Sequence, residues 1–172
     1  MNASQIKDTE YALFYSNYIK SLGNVDLFEV LNSSLEDTLN TLGDLPEEKL
    51  MHRYDNGKWT IKELIQHIID AERVLSYRAL RFSRNDPTDL QGFEEDWYVG
   101  NSNGNERDFK DLLEELTNLR KASISLFKSF TNEMFKMLGT ANGSIMSVRA
   151  LGFIIVGHQM HHLNIIIEKY LD

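Results

Sequence analysis

The stretch that most constrains this chain is its last one. From Ser147, a side chain suited to capping a helix start, the sequence continues to Tyr170 with Leu151, Ile154, Ile155, Ile165 and Ile166 among its apolar positions, and with Val156, Leu163 and Ile167 nearly opposite His158. A helix on one side of a bundle needs an apolar stripe only about 100° wide. This one is apolar over far more, so a second buried face is expected, covered either by the amino-terminal helix or by the same helix of a second subunit across a two-fold interface. Two histidines are set into that surface. On a helix advancing about 100° per residue, His158 and His162 stand one above the other, about 40° apart, and their rings can converge. His161 lies about 60° back from His158, in the one non-apolar sector with Gly157, Asn164 and Glu168, which reads as the solvent stripe. Burying two imidazoles without partners costs a few kcal/mol, so something must compensate.

A length of 172 residues suits a single domain, 1–172, with a full core. The chain has no cysteine, which removes disulfides, thiolate metal sites and thiol nucleophiles and leaves histidine and carboxylate as ligands. A net charge of −8, with no cluster of lysine and arginine, argues against nucleic acid as a partner. Met1-Asn2-Ala3-Ser4-Gln5 has no signal-peptide pattern, and the apolar runs fall short of a membrane span, so a cytoplasmic protein is expected. No alternating pattern exceeds four residues, and the composition favours an all-α fold.

Taken in order, the sequence predicts a short helix over Asp8–Leu22 and a long one opening at Asp26 and running to Gly43 through Leu27, Val30, Leu31, Leu35, Leu39 and Leu42. Pro46 can open one turn through Leu50, and Tyr54-Asp55-Asn56-Gly57-Lys58 is turn chemistry. Trp59-Thr60-Ile61-Lys62-Glu63-Leu64 is a complete helix start, with Thr60 and Glu63 as a capping box and Trp59 against Leu64 as a staple. That helix reaches about Arg84, before Asn85-Asp86-Pro87. Residues 86–105 then form a long acidic and aromatic connection, Asp108 to Met137 the next helix, and Gly139 to Gly143 a turn into the last. The expected architecture is a four-helix bundle whose winding depends on that long crossover.

His67 sits at the edge of the apolar face of its helix, in line with Ala71, Val74 and Arg78, so a third imidazole can look inward. Three histidines around a divalent ion leave a position open, the pattern of a reactive site, and nitrogen donors suit zinc or nickel. Spacing leaves the alternative open that all three are core residues bonded to neighbours. Asp70, one turn from His67, can orient a ligand or take a proton, or be a plain surface carboxylate. Arg78 can hold an anionic substrate or pair with an acid of the 86–105 stretch. Glu94, Glu95, Asp96, Trp97 and Tyr98 can form a lid, with Trp97 and Tyr98 against substrate, or a solvated loop. His52 is expected to be exposed and is assigned nothing.

Trp59-Thr60-Ile61-Lys62-Glu63-Leu64 with His67 and Asp70-Ala71-Glu72-Arg73 resembles the W-[ST]-x-x-E-x-x-x-H-x-x-D-x-E-R stretch of the DinB-like (YfiT-like) superfamily. Gly157-His158-Gln159-Met160-His161-His162 is similar to its closing G-H-x-x-H-H segment, and Tyr54 ahead of Gly57-Lys58-Trp59 and Thr140-Ala141-Asn142-Gly143 extend the match. The resemblance implies a four-helix bundle, often dimeric, with one divalent metal, commonly nickel or zinc, on His67, His158 and His162. Related groups include bacillithiol transferases and a mycothiol-dependent maleylpyruvate isomerase. The expected function is therefore activation of water or a low-molecular-weight thiol by a metal held on the three histidines, in a thiol transferase or hydrolase acting on a small molecule, as a homodimer. The rival expectation is a non-catalytic stress-response or binding protein whose metal is structural or sensory.

Overall fold

In the computed structural model, which describes residues 1–171, 3₁₀ turns at Ala3–Gln5, Asp8–Glu10 and Leu13–Tyr15 lead into helix α1 (Ser16–Lys20). There follow α2 (Leu27–Leu42), the single turn α3 (Glu47–Leu50), α4 (Ile61–Ser83), α5 (Glu95–Gly100), α6 (Phe109–Lys128), α7 (Asn132–Lys136), a hairpin of β1 (Leu138–Ala141) and β2 (Ser144–Ser147), and α8 (Val148–Ile166), which runs on as a π turn to Leu171. The start signals work as the sequence predicts. Asp26 accepts from the Phe28 N–H at 2.9 Å. Glu63 N–H donates to Thr60 Oγ1 at 3.1 Å, and Thr60 N–H to Glu63 Oε2 at 2.8 Å.

The four long helices form the bundle. α4 packs on α6 and α8, and α2 packs on the same two, so α2 and α4 lie across the diagonal although α4 is the next long helix in the chain. Direction follows from the core. The first halves of α2 and α8 share one apolar cluster with the second halves of α4 and α6, through Leu27, Leu31, Leu75, Phe82, Phe127 and Phe153. The opposite halves share the other, through Leu42, Ile61, Ile65, Leu112, Leu163 and Ile166. The winding is thus up, down, down, up. Because α4 and α6 are parallel, the chain must return along the bundle between them, which is why the 86–105 connection is long. It is pinned at both ends: Leu90 N–H donates to Thr140 O at 2.9 Å, and Asn105 Oδ1 accepts from Thr60 Oγ1 at 2.6 Å.

Between the two clusters lies a buried polar junction fed by all four long helices. Arg120, with no exposed surface, forks onto Glu72 at 2.8 and 2.9 Å and donates to Leu31 O at 2.8 Å and Ser34 Oγ at 3.0 Å. It also donates to Gln159 Oε1 at 2.5 Å, while Gln159 Nε2 donates to Thr38 Oγ1 at 2.7 Å. Every member is satisfied, as burial of a charge pair requires.

Five local expectations need correction. The predicted Asp8–Leu22 helix is α-helical only over Ser16–Lys20 and is broken before it into two 3₁₀ turns, where Glu10 accepts from Ser147 Oγ at 2.9 Å and Arg149 Nε at 2.7 Å. The predicted 108–137 helix stops at Lys128, where Phe130 turns in to meet Phe127 and Phe135 edge-on, and Thr131 caps α7. The 139–143 turn is the tip of a hairpin, with Asn142 and Gly143 at φ 52° and 68° as a two-residue loop requires. Fourth, Val148–Leu171 does reach the length and mean hydropathy (1.3) of a membrane-crossing helix, but it is the core helix of the bundle, 67% buried.

Gly157 is not in a solvent stripe. α1 lies over it so closely that a Cβ there would be 2.2 Å from Tyr18 O. The amino-terminal segment of the same chain thus lies over the sector of α8 expected to face solvent, while of the residues opposite His158, Val156 and Leu163 are buried in the two apolar clusters of the bundle and Ile167 is 39% exposed. Gly157→Ala is expected to destabilise the protein by about 2 kcal/mol through overpacking against fixed backbone, read as a lowered urea midpoint at unchanged slope.

Candidate metal centre

α4 and α8 are the most extensively packed helix pair, and they bring the three histidines together. His67 and His158 are 1% and 7% exposed, and His162 lies at the cleft edge. His158 Nε2 is 2.9 Å from His67 Nε2 and 3.1 Å from His162 Nε2. One nitrogen from each ring lies within 4.8 Å of the other two. Nitrogens bound at about 2.0–2.1 Å to one ion stand about 2.9–3.4 Å apart for angles between octahedral and tetrahedral. The two spacings from His158, 2.9 and 3.1 Å, fall in that range. Neutral rings have one N–H each, so hydrogen bonding alone leaves lone pairs facing one another at the centre, and a shared cation satisfies all three. Nδ1 of His67 and of His162 is buried with no protein partner among the described residues. Ring orientation comes instead from aromatic packing: Trp59 lies 4.9 Å from His67, and Tyr18 stands edge-on to His158 at 5.7 Å.

Burial keeps the donors unprotonated. Desolvation lowers His67 to about 4, opposed by the nearby Asp96 charge, and lowers His162 to about 3, reinforced by His67 and His161. His158 is held well below the usual imidazole range by desolvation and then by its histidine neighbours. In the unfolded chain these groups titrate near 6.5. Between that value and about 4 the unfolded chain therefore binds more protons, so metal-free stability is full above pH 6.5 and is lost as pH falls. Urea unfolding in chelator is expected to show a loss on the order of several kcal/mol between pH 7.5 and 4, and added divalent ion should restore part of it. A flat profile would contradict a neutral buried triad.

The remaining predicted residues separate. A cleft of about 320 Å³ opens at His162, lined by Tyr54, Trp59, Leu64, Asp96, Ile165 and Tyr170 among others. Asp70 is not in it: Asp70 Oδ1 accepts from Gln66 Nε2 at 3.0 Å, and the residue lines a different hollow with Trp97 and Tyr98. Arg78 lines a third, where its Nη2 donates to the Gln91 carbonyl at 3.0 Å and no acid of the 86–105 stretch reaches it. His52 is exposed, as expected. The carboxylate facing the histidines is Asp96, one of five residues in the acidic aromatic run, with no spacing to single it out.

The profile of the DinB superfamily matches residues 31–166. The chain belongs to the DinB superfamily. YfiT from Bacillus subtilis, described as a probable metal-dependent hydrolase with an unusual four-helix bundle topology, is similar in structure, with a TM-score of 0.76 and 18% sequence identity over 83% of this chain and 82% of its own. At that identity the likeness is one of fold. No curated protein matches the chain. The geometry gives the DinB-like motifs physical meaning: Trp59 braces His67, Glu72 anchors Arg120, and Gly157 admits Tyr18.

Proposed function

We propose that this DinB-superfamily protein is a metal-dependent enzyme of hydrolase type in which His67, His158 and His162 hold one divalent ion, nickel or zinc. The observation that carries this reading is the convergence of three neutral Nε2 donors, two on buried rings and one on the half-buried His162 beside an open cleft. When bound, such an ion supplies Lewis acidity, bringing water or a low-molecular-weight thiol to its nucleophilic form near neutral pH. The chain's own residues do the rest. Asp96, on the solvent side of the cleft, accepts the proton released by the nucleophile. Trp59, Tyr54 and Tyr170 present aromatic walls, with Tyr54 and Tyr170 edge-on at 5.1 Å, to hold a small substrate with an apolar part.

The reading is tested by a panel of esters, amides and thiol–electrophile pairs on metal-loaded protein. Asp96→Asn is expected to lower kcat/KM about 100-fold for whichever substrate turns over, with metal content unchanged and the acid-side dependence on pH altered. Unaltered turnover removes Asp96 from the reaction. No turnover by wild type across the panel removes the catalytic reading itself.

A further inference from the structure

Each buried cation of the bundle interior has a carboxylate within reach, with one exception. Arg120 is paired with Glu72 at 2.8 Å and Lys62 with Glu47 at 2.6 Å. Arg78 is 4% exposed, donates from Nη2 to the neutral Gln91 carbonyl, leaves its Nε with no partner, and has no Asp or Glu oxygen within 4.0 Å among the described residues. A guanidinium cannot escape by losing its proton. A buried charge of this kind is costly unless an anion completes it.

The arginine faces a cavity of about 450 Å³ whose other walls include Tyr15, Phe93, Met146 and Asn142, with Phe14 at its mouth, 71% exposed. Phe14 and its neighbour Leu13, 85% exposed, make a contiguous apolar rim at that mouth, which suits the apolar part of a ligand. Glu94 and Glu95 also line the cavity, and they disfavour a dianion such as phosphate. This cavity shares no lining residue with the cleft at His162, from which the Glu95–Asp96 segment divides it.

We propose that this cavity is a second ligand site, in which Arg78 receives the carboxylate of a small organic monoanion and the aromatic walls receive its apolar body. The guanidinium fork suits a planar carboxylate, and the ligand supplies the counter-charge that the fold does not. The site stands apart from the histidine centre, and so does its test.

Full-length, metal-loaded protein is titrated calorimetrically with 3-phenylpropionate, its neutral amide and inorganic phosphate. The acid is expected to bind at least tenfold more tightly than the amide, and phosphate not to compete. Arg78→Met should weaken the acid at least tenfold and leave the amide unchanged, while His162→Ala should leave both unchanged. Should the methionine variant fail to fold, Arg78→Lys, which keeps the charge without the fork, is expected to weaken the acid several-fold. In thermal scans the acid should raise the midpoint of wild type but not of Arg78→Met. Equal binding of acid and amide, or acid binding that survives Arg78→Met, overturns the proposal. So does acid binding abolished by His162→Ala, which would place the carboxylate on the metal.

Discussion

Replacing His158 with alanine is expected to empty the histidine centre. Its Nε2 is the middle donor, in contact with both of the others. Two donors, His67 and His162, remain, and their convergence loses its common neighbour. Affinity for a divalent ion should fall by more than the 10–100-fold that loss of an outer hydrogen-bonding partner costs, and turnover should fall with it. Protein purified without a nickel column is expected to carry one equivalent of metal by mass spectrometry in wild type, and under about a tenth in the variant. Because a truncated buried ring also leaves a void costing about 2–4 kcal/mol, His162→Ala at the cleft edge serves as the second variant, with the same expected loss of metal. Wild type bearing no stoichiometric ion would dismiss the centre and leave three core histidines.

The largest effect on stability is expected at Arg120. Arg120→Met strands the Glu72 carboxylate, 2% exposed, and deprives Gln159 Oε1 of its strongest donor. Breaking a buried pair from one side costs about 3–5 kcal/mol, a fall in thermal midpoint of roughly 6–20 °C for a chain of this size. Adding Glu72→Leu removes the stranded charge and is expected to return more than half of the loss, so the two substitutions couple strongly. Additive losses in the double variant would mean that the junction acts as two separate packing sites.

Much of the bundle was legible because local chemistry and tertiary packing agree. Asp26, Thr60 with Glu63, Asp108 and Ser147 open the long helices by side-chain caps that need no information from elsewhere in the chain. The histidines were legible because an imidazole on an isoleucine-rich face needs a reason, and a four-residue spacing gives convergence. What escaped was set at long range. Arg120 stands in line with Leu112, Leu116 and Phe127 on the apolar stripe of its helix, and nothing local names the partners, Glu72 and Gln159, that arrive from two other helices. Glu10 deforms its own segment for partners on β2 and α8, and Asp96 meets His162 only because the chain doubles back along α4. The hairpin strands are four residues each, too short for alternation to stand out, and only Asn142-Gly143 marks them.

The doubling back has a further meaning. Since the crossover is fastened at Leu90 to β1 and at Asn105 to the start of α4, its exposed residues Asp96, Trp97 and Tyr98 line the hollows beside the histidines without entering the two apolar clusters of the bundle. Insertions or exchanges there can reshape what the protein accepts while the three histidines on α4 and α8 keep their places, so a change of chemistry on this scaffold needs only a new awning over an old hearth.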